Sequence, residues 1–335
     1  ERSRGLGDVY KRQVDTEGPL VELVQPEDEG YISCDSTEVI FRFYDISGTD
    51  FVGTIVQFGE ESFAYPDGME SFGDTLLIFP LTSSFSDGDS VYISVSGFSD
   101  IAGNPGASRG WWLRFDLSPP EITSLIPAPG SVSSRTYQPI GVVATDSLSG
   151  IDVDSVLFVV DGDEFTGCFV IGDTLYFYPD SFGVAFHDGD TVSVCVSVPD
   201  RGRICPPNVA DTCWSFLVNQ EGPSVELITP PDHSIISCQN IPVELLITDE
   251  NGVIPESIVV VFNEDTFCFP SPELSFSDTV LTVDYPEDFS DTNRLFVVSA
   301  YDSIGNPLGD IIRFEFCLLY TSPSPRDLST SRMPS

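Results

Sequence analysis

Apolar residues recur at every second position in short runs along this chain. Val39, Phe41 and Phe43 alternate with Glu38, Ile40 and Arg42; Ile140, Val142 and Ala144 keep the same rhythm, and so do Val243, Leu245 and Ile247. A second set ends in aromatics: Leu113, Phe115 and Leu117; Trp214, Phe216 and Val218; Ile312, Phe314 and Phe316. Alternation with period two puts one face of a strand on a core and the other in water. Clusters of Gly, Pro, Asp, Asn and Ser separate the runs, as turns require. No long amphipathic helical pattern interrupts them.

The runs come in three copies about one hundred residues apart, a spacing that points to repeated structural units. "GPLVEL", "PPEITSL" and "GPSVEL" open them, each followed by a proline-bearing turn. "FYDISGTD", "ATDSLSGID" and "ITDENGVI" follow; "DGDSVYISVSGFSD" matches "DGDTVSVCVSVPD", with "SDTNRLFVVSAYD" as a looser third; "DIAGNPG" matches "DSIGNPLGD". About seven strands per copy predict an all-β chain of two-sheet sandwiches. The expected boundaries are 14–117, 118–220 and 221–316, each copy large enough for its own core.

These motifs resemble the tandem immunoglobulin-like domains of bacterial surface and secreted proteins. The resemblance implies three tandem immunoglobulin-like sandwiches in an extended array, extracellular or at the cell surface. It implies spacing, adhesion or support of neighbouring domains. An alternative is a set of accessory modules, carbohydrate-binding among them, of a secreted enzyme. The partners implied are a protein or glycan ligand of unknown identity and flanking domains of the same chain. The third copy lacks "DGD", and the second replaces the "GNP" loop with a cysteine loop.

The tips depart from the pattern. One set of codons for Cys317–Ser322, read from the opposite strand one base out of phase, spells Asp8–Gln13. Residues 1–13 and 317–335 therefore resemble a sequencing-library adapter translated in both directions and are set aside from the fold. "VDTEGP" at 14–19 reads like the junctions "FDLSPP" and "LVNQEGP", so a preceding copy is expected, and the chain reads as a fragment of a longer one.

Charge narrows the partners. The net charge is −39, and between Val14 and Phe316 the basic residues are eight arginines with no lysine. Such a surface repels nucleic acid and anionic membranes and attracts cations. No segment is apolar and long enough for direct membrane insertion. Without lysine, this stretch cannot form a Lys–Asn cross-link of the kind some adhesin modules carry.

Candidate chemistry is sparse. Cys205 and Cys213 bracket a proline-stiffened loop and are expected to pair; Cys238 with Cys268 and Cys168 with Cys195 are further candidates, leaving Cys34 unpaired. Bonded cysteines imply an oxidising compartment. Zinc is not expected, since no C-x-x-C occurs and the chain has two histidines. Asp45, Asp50, Asp146, Asp152 and Asp154, with the "DGD" corners Asp87/Asp89 and Asp188/Asp190, offer oxygens that either serve turns or converge on calcium. Module junctions, where acids of two copies meet, are the places for such convergence, and a calcium-stiffened adhesive array is the corresponding reading. No other cofactor is implied. Trp112 points away from the core and is a candidate platform for a sugar ring, whereas Trp111 and Trp214 share the core parity. His187 and His233 fall in turns of different copies, which does not suggest a catalytic triad, and no enzyme activity is expected.

Overall fold

The structure is a computed structural model and describes residues 14–26, 30–34, 37–81, 84–239 and 241–319. The first copy forms β1 (Leu20–Gln25), β2 (Tyr31–Ile32), β3 (Thr37–Tyr44), β4 (Thr49–Asp50), β5 (Ile55–Phe58), β6 (Glu61–Ala64), β7 (Glu70–Phe72), β8 (Leu76–Leu81), β9 (Ser90–Ser96), β10 (Ser99–Asp100) and β11 (Arg109–Phe115). One sheet has the order β1-β3-β8-β7, the other β2-β11-β9-β5-β6, and β4 with β10 makes a small ribbon. β2 runs parallel to β11, placing Ile32 opposite Phe115. This is the two-sheet order of an immunoglobulin-like sandwich.

The same order recurs twice. The second copy has β12 (Glu121–Ile126), β13 (Val132–Ser133), β14 (Ile140–Thr145), β15 (Leu157–Val160), β16 (Asp163–Thr166), β17 (Phe169–Ile171), β18 (Thr174–Phe177), β19 (Thr191–Pro199) and β20 (Val209–Val218). Its sheets are β12-β14-β18-β17 and β13-β20-β19-β15-β16. The third has β21 (Ser224–Thr229), β22 (Ile235–Ile236), β23 (Val243–Thr248), β24 (Val253–Phe262), β25 (Asp265–Cys268), β26 (Leu274–Ser277), β27 (Val280–Val283), β28 (Thr292–Asp302) and β29 (Ile312–Leu318), in sheets β21-β23-β27-β26 and β22-β29-β28-β24-β25. Nine strands in two sheets per copy exceed the seven expected. The additions are short edge strands such as β2, whose two residues carry no readable alternation.

The alternating residues fill the cores as the period-two pattern requires. Val39, Phe41 and Phe43, like Val243, Leu245 and Ile247, are buried. Separate apolar clusters occupy the first and third copies. Ile140, Val142, Phe158, Phe177, Val194 and Phe216 are buried in the middle one. The chain gathers into two compact bodies. Among the described residues, one holds those from Val14 to Ile126 with Ile140–Phe177 and Val194–Trp214; the other holds Pro127–Pro139, Tyr178–Ser193 and those from Ser215 to Leu319.

The last strand corrects the register read from the sequence. Ile32, Ser133 and Ile236 face Phe115, Val218 and Leu318 respectively. Phe115 and Leu318, not Leu117 and Phe316, therefore share the column of Val218, and β29 runs through Cys317 and Leu318, which the sequence reading excluded from the fold. A slip of two residues leaves the buried face unchanged, so alternation alone cannot detect it. The remainder of the set-aside tips, residues 1–13 and 320–335, lies outside the described residues.

Candidate functional site: linker joints and an exposed sheet face

Each copy carries a joint built on one buried aspartate and one asparagine. Asp100 accepts from the Asn104 backbone N–H and Nδ2, both at 2.6 Å, and Asn104 Nδ2 also donates to the Asp15 carbonyl at 3.2 Å. Asp200 holds Asn208 in the same way, at 3.0 and 2.6 Å, and Asn208 Nδ2 donates to the Asp116 carbonyl at 2.9 Å. Asp302 holds Asn306, whose Nδ2 donates to the carbonyls of Asn219 and Glu221 at 3.0 and 3.1 Å. The buried carboxylate fixes the asparagine, and the asparagine fixes the linker entering its own copy. Gly18 and Gly222 let the linker lie flat on the loop: a Cβ there would stand 2.1 Å from the Pro105 oxygen or 1.9 Å from the Pro307 oxygen.

At two joints three carboxylates converge. One oxygen from each of Asp15, Asp45 and Asp100 lies within 4.8 Å of the others, and Asp116, Asp146 and Asp200 repeat the arrangement. Burial pushes the Asp200 carboxyl up, and the neighbouring Asp116 carboxylate adds to this despite the Asn208 donors. At Asp100 burial also pushes up, but the donors from Asn104, Ser47 and Gly103 outweigh it and the carboxyl is lowered. In the third joint Asn219 occupies the column of Asp15 and Asp116, a neutral amide in place of a carboxylate. Three carboxylates supply part of the six to eight oxygens calcium takes, with backbone carbonyls and water as the usual remainder.

Asp45 and Asp146 belong to these clusters. Asp50, Asp152 and Asp154 do not: Asp50 accepts from Val52 N–H at 2.9 Å, Asp152 from the Ser155 hydroxyl at 2.7 Å, and Asp154 lies in a 3-10 turn. The "DGD" corners hold turns and strand ends, with Asp87 accepting from Leu117 N–H and Asp188 from Gln220 N–H. Sequence reasoning missed Asp15, Asp100, Asp116 and Asp200. The signal is present in the "D-x-x-G-N-P" loop and in Asp15 and Asp116 at the first two linkers.

The disulfides differ from the expected pairs. Cys34 is bonded to Cys205, and Cys195 to Cys213. Cys205 and Cys213 do not meet because Cys213 faces the neighbouring strand β19, while the loop bearing Cys205 reaches the first sandwich. Cys34, expected unpaired, is the partner found there. Cys195 is taken by Cys213, so Cys168 is a free thiol, donating to the Val153 carbonyl at 3.5 Å. Burial and then the Asp154 carboxylate push its thiol up, which makes it a poor nucleophile. Cys238 and Cys268 are free and exposed. Cys238 follows β22 and Cys268 ends β25, the two edges of a five-stranded sheet. Four strand spacings of about 4.8 Å separate those edges, beyond the roughly 7 Å that a disulfide spans between Cα atoms.

The sheet containing β11 exposes an aromatic pair. Trp112 is 58% exposed and stands opposite Tyr92, with ring centroids 5.4 Å apart. Gly110 leaves room for the Tyr92 phenol, since a Cβ there would sit 2.1 Å from its oxygen. Ser94 faces Gly110 and Gln57, and Ser62 donates to Gln57 Oε1 at 2.5 Å. The third copy places an Arg294–Glu315 ion pair at the same cross-strand position, at 3.1 Å. Trp111 and Trp214 are buried, and His187 and His233 are exposed.

No family model matches the chain, and no curated protein aligns with it. Among solved structures the chain is similar to a bacterial ice-binding adhesin, at 14% identity and TM-score 0.38, over 91% of this chain and 100% of that one. It is also similar to titin domains A168–A170, at 13% identity and TM-score 0.34, over 88% and 98%. A third is the fibronectin(III)-like modules of Clostridium thermocellum CbhA, at 14% identity and TM-score 0.26, over 59% and 93%. None of the described helices is long and apolar enough to cross a membrane.

Proposed function

We propose that this chain is a non-enzymatic spacer or adhesive scaffold segment of a larger secreted or cell-surface bacterial protein, presenting its loops and sheet faces to a protein or glycan partner. The repeated joint carries this reading. In each of the three copies a buried Asp–Asn pair fixes the backbone of the linker entering it, an arrangement suited to resisting bending at module boundaries. Two disulfides fit an oxidising compartment. Antibody raised against the three modules is expected to label intact source cells or their culture medium. Label appearing only after permeabilisation would overturn the reading.

A second reading, a calcium-stiffened array, is favoured by the convergence of Asp15, Asp45 and Asp100 and of Asp116, Asp146 and Asp200. A glycan-binding role for the first module is favoured by the Trp112–Tyr92 pair. Aromatic faces and uncharged amide and hydroxyl groups suit a neutral sugar better than an anionic one on a chain of net charge −39. Trp112→Ala is expected to shift stability by no more than about 0.5 kcal/mol, as for an exposed residue, and to abolish retention on insoluble neutral polysaccharide. Equal retention of variant and wild type would remove the glycan role.

A further inference from the structure

The loop from Arg201 to Pro207 is where the second copy breaks the repeat. Seven residues separate Asp200 from Asn208, against three between Asp100 and Asn104 and between Asp302 and Asn306. The longer loop seats on the first sandwich. Arg203 N–H donates to the Tyr31 carbonyl at 2.8 Å, and Arg203 bridges to Ile32 in parallel. The Ser33 hydroxyl donates to the carbonyls of Pro206 at 3.1 Å and Cys205 at 3.4 Å. Ile204, held at φ 84°, packs against the first core. Gly202 passes so close that a Cβ would lie 2.7 Å from the Ser33 Cβ. The Cys34–Cys205 bond then closes the seat, at a sequence separation of 171.

We propose that this bond is a force shunt that removes most of the first two sandwiches, β3 to β19, from the extensible length of the chain. The proposal rests on the scaffold reading for its use, though not for its physics. Tension applied between Val14 and Leu319 passes along the shortest covalent path. That path runs from Val14 to Cys34, crosses the disulfide to Cys205, and continues to the third sandwich. The strands β3 to β19 lie between the bonded cysteines, so their unfolding releases no length between the ends. The Cys195–Cys213 bond does not shorten this path, because Cys205 lies inside its loop. The third sandwich lies wholly outside the closed segment and supplies the extension. A dithiol reductant opens the shunt by thiol–disulfide exchange. One thiolate attacks a sulfur of the bond, the mixed disulfide is displaced by the second thiolate, and Cys34 and Cys205 leave as thiols while the reductant is oxidised to its cyclic disulfide.

The test is single-molecule extension of the three-module chain held at its two ends, with and without dithiothreitol, beside the Cys34→Ser/Cys205→Ser pair. At roughly 3.5 Å per extended residue, reduction is expected to add about 600 Å of released contour length, and the double substitution, which keeps the Cys195–Cys213 bond, about 540 Å. The same released length in oxidised, reduced and substituted chains would overturn the shunt. So would peptide mapping of the oxidised wild type that joins Cys205 to Cys213. Adding reductant to a single oxidised molecule gives the comparison even where the double variant fails to fold. The released length depends on the bond and not on where the protein resides, so failure of the shunt and failure of the scaffold reading are distinguishable.

Discussion

Phe43→Ala is expected to cost the first sandwich about 3–5 kcal/mol, the range for deleting a buried phenylalanine ring. Phe43 is fully buried and meets Phe51 and Phe98 edge-on, at centroid distances of 5.0 and 4.9 Å. Phe43 lies on β3 and Phe51 and Phe98 on the turns after β4 and β9, all three in one close-packed core, so collapse into the vacated volume is limited. The damage travels toward the joint. The Phe98 ring lies against Gly106, where a Cβ would stand 1.9 Å away, and Gly106 N–H donates to the Phe98 carbonyl at 3.0 Å. Gly106 ends the loop that carries Asp100 and Asn104. Hydrogen exchange across residues 100–106 should therefore rise with that of β3, while β23 in the third sandwich keeps its protection. A loss below about 1 kcal/mol in the first denaturation transition would contradict this packing, because so small a loss belongs to surface sites.

The sheets could be read from the sequence because burial on one face imposes period two, and Phe41, Leu245 and Phe216 obey it. Register could not, since Phe316 and Leu318 share a parity and only the pairing of Leu318 with Ile236 of β22 tells them apart. The disulfides were misread for another reason. Sequence spacing favours pairs within a copy, such as Cys205 with Cys213. The actual bond depends on a four-residue loop extension crossing to the preceding copy, and no local periodicity reports contacts between copies. The joint was half visible. Asp45 and Asp146 stood out in their Ser/Gly-rich bends, and junctions were the expected meeting places. Asp100 and Asp200 were absorbed into loop motifs, and their burial follows only from the packing of Asn104 and Asn208 above them.

Calcium is expected to raise the melting temperature of the joint between the first and second copies, and Asp146→Asn to remove most of that gain. Without a cation, the fold brings the Asp116, Asp146 and Asp200 carboxylates together, and burial with the Asp116 charge already raises Asp200. The Asp200 carboxylate is thus more costly to ionise beside Asp116, and a divalent ion relieves that repulsion at its source. At a hundredfold excess over its dissociation constant, one ion binding only the folded state contributes about 2.7 kcal/mol, a shift of several degrees for modules of this size. Asp146→Asn is the discriminating change. Asp146 Oδ1 accepts from Leu148 N–H at 3.0 Å and Gly150 N–H at 2.8 Å, and an asparagine keeps that acceptor while deleting the charge. The bend survives and the ligand set is weakened, so the variant in chelator should melt near the wild type and respond little to calcium. The Asp15, Asp45 and Asp100 cluster remains intact in that variant, so the loss should fall on the transition that includes the second copy. The third joint, with Asn219 in the carboxylate column, should contribute no comparable gain. Identical melts of the wild type in chelator and in excess calcium would leave these carboxylates as hydrogen-bond acceptors for the linkers, and the stiffness of the joints would then rest on Asn104, Asn208 and Asn306 alone.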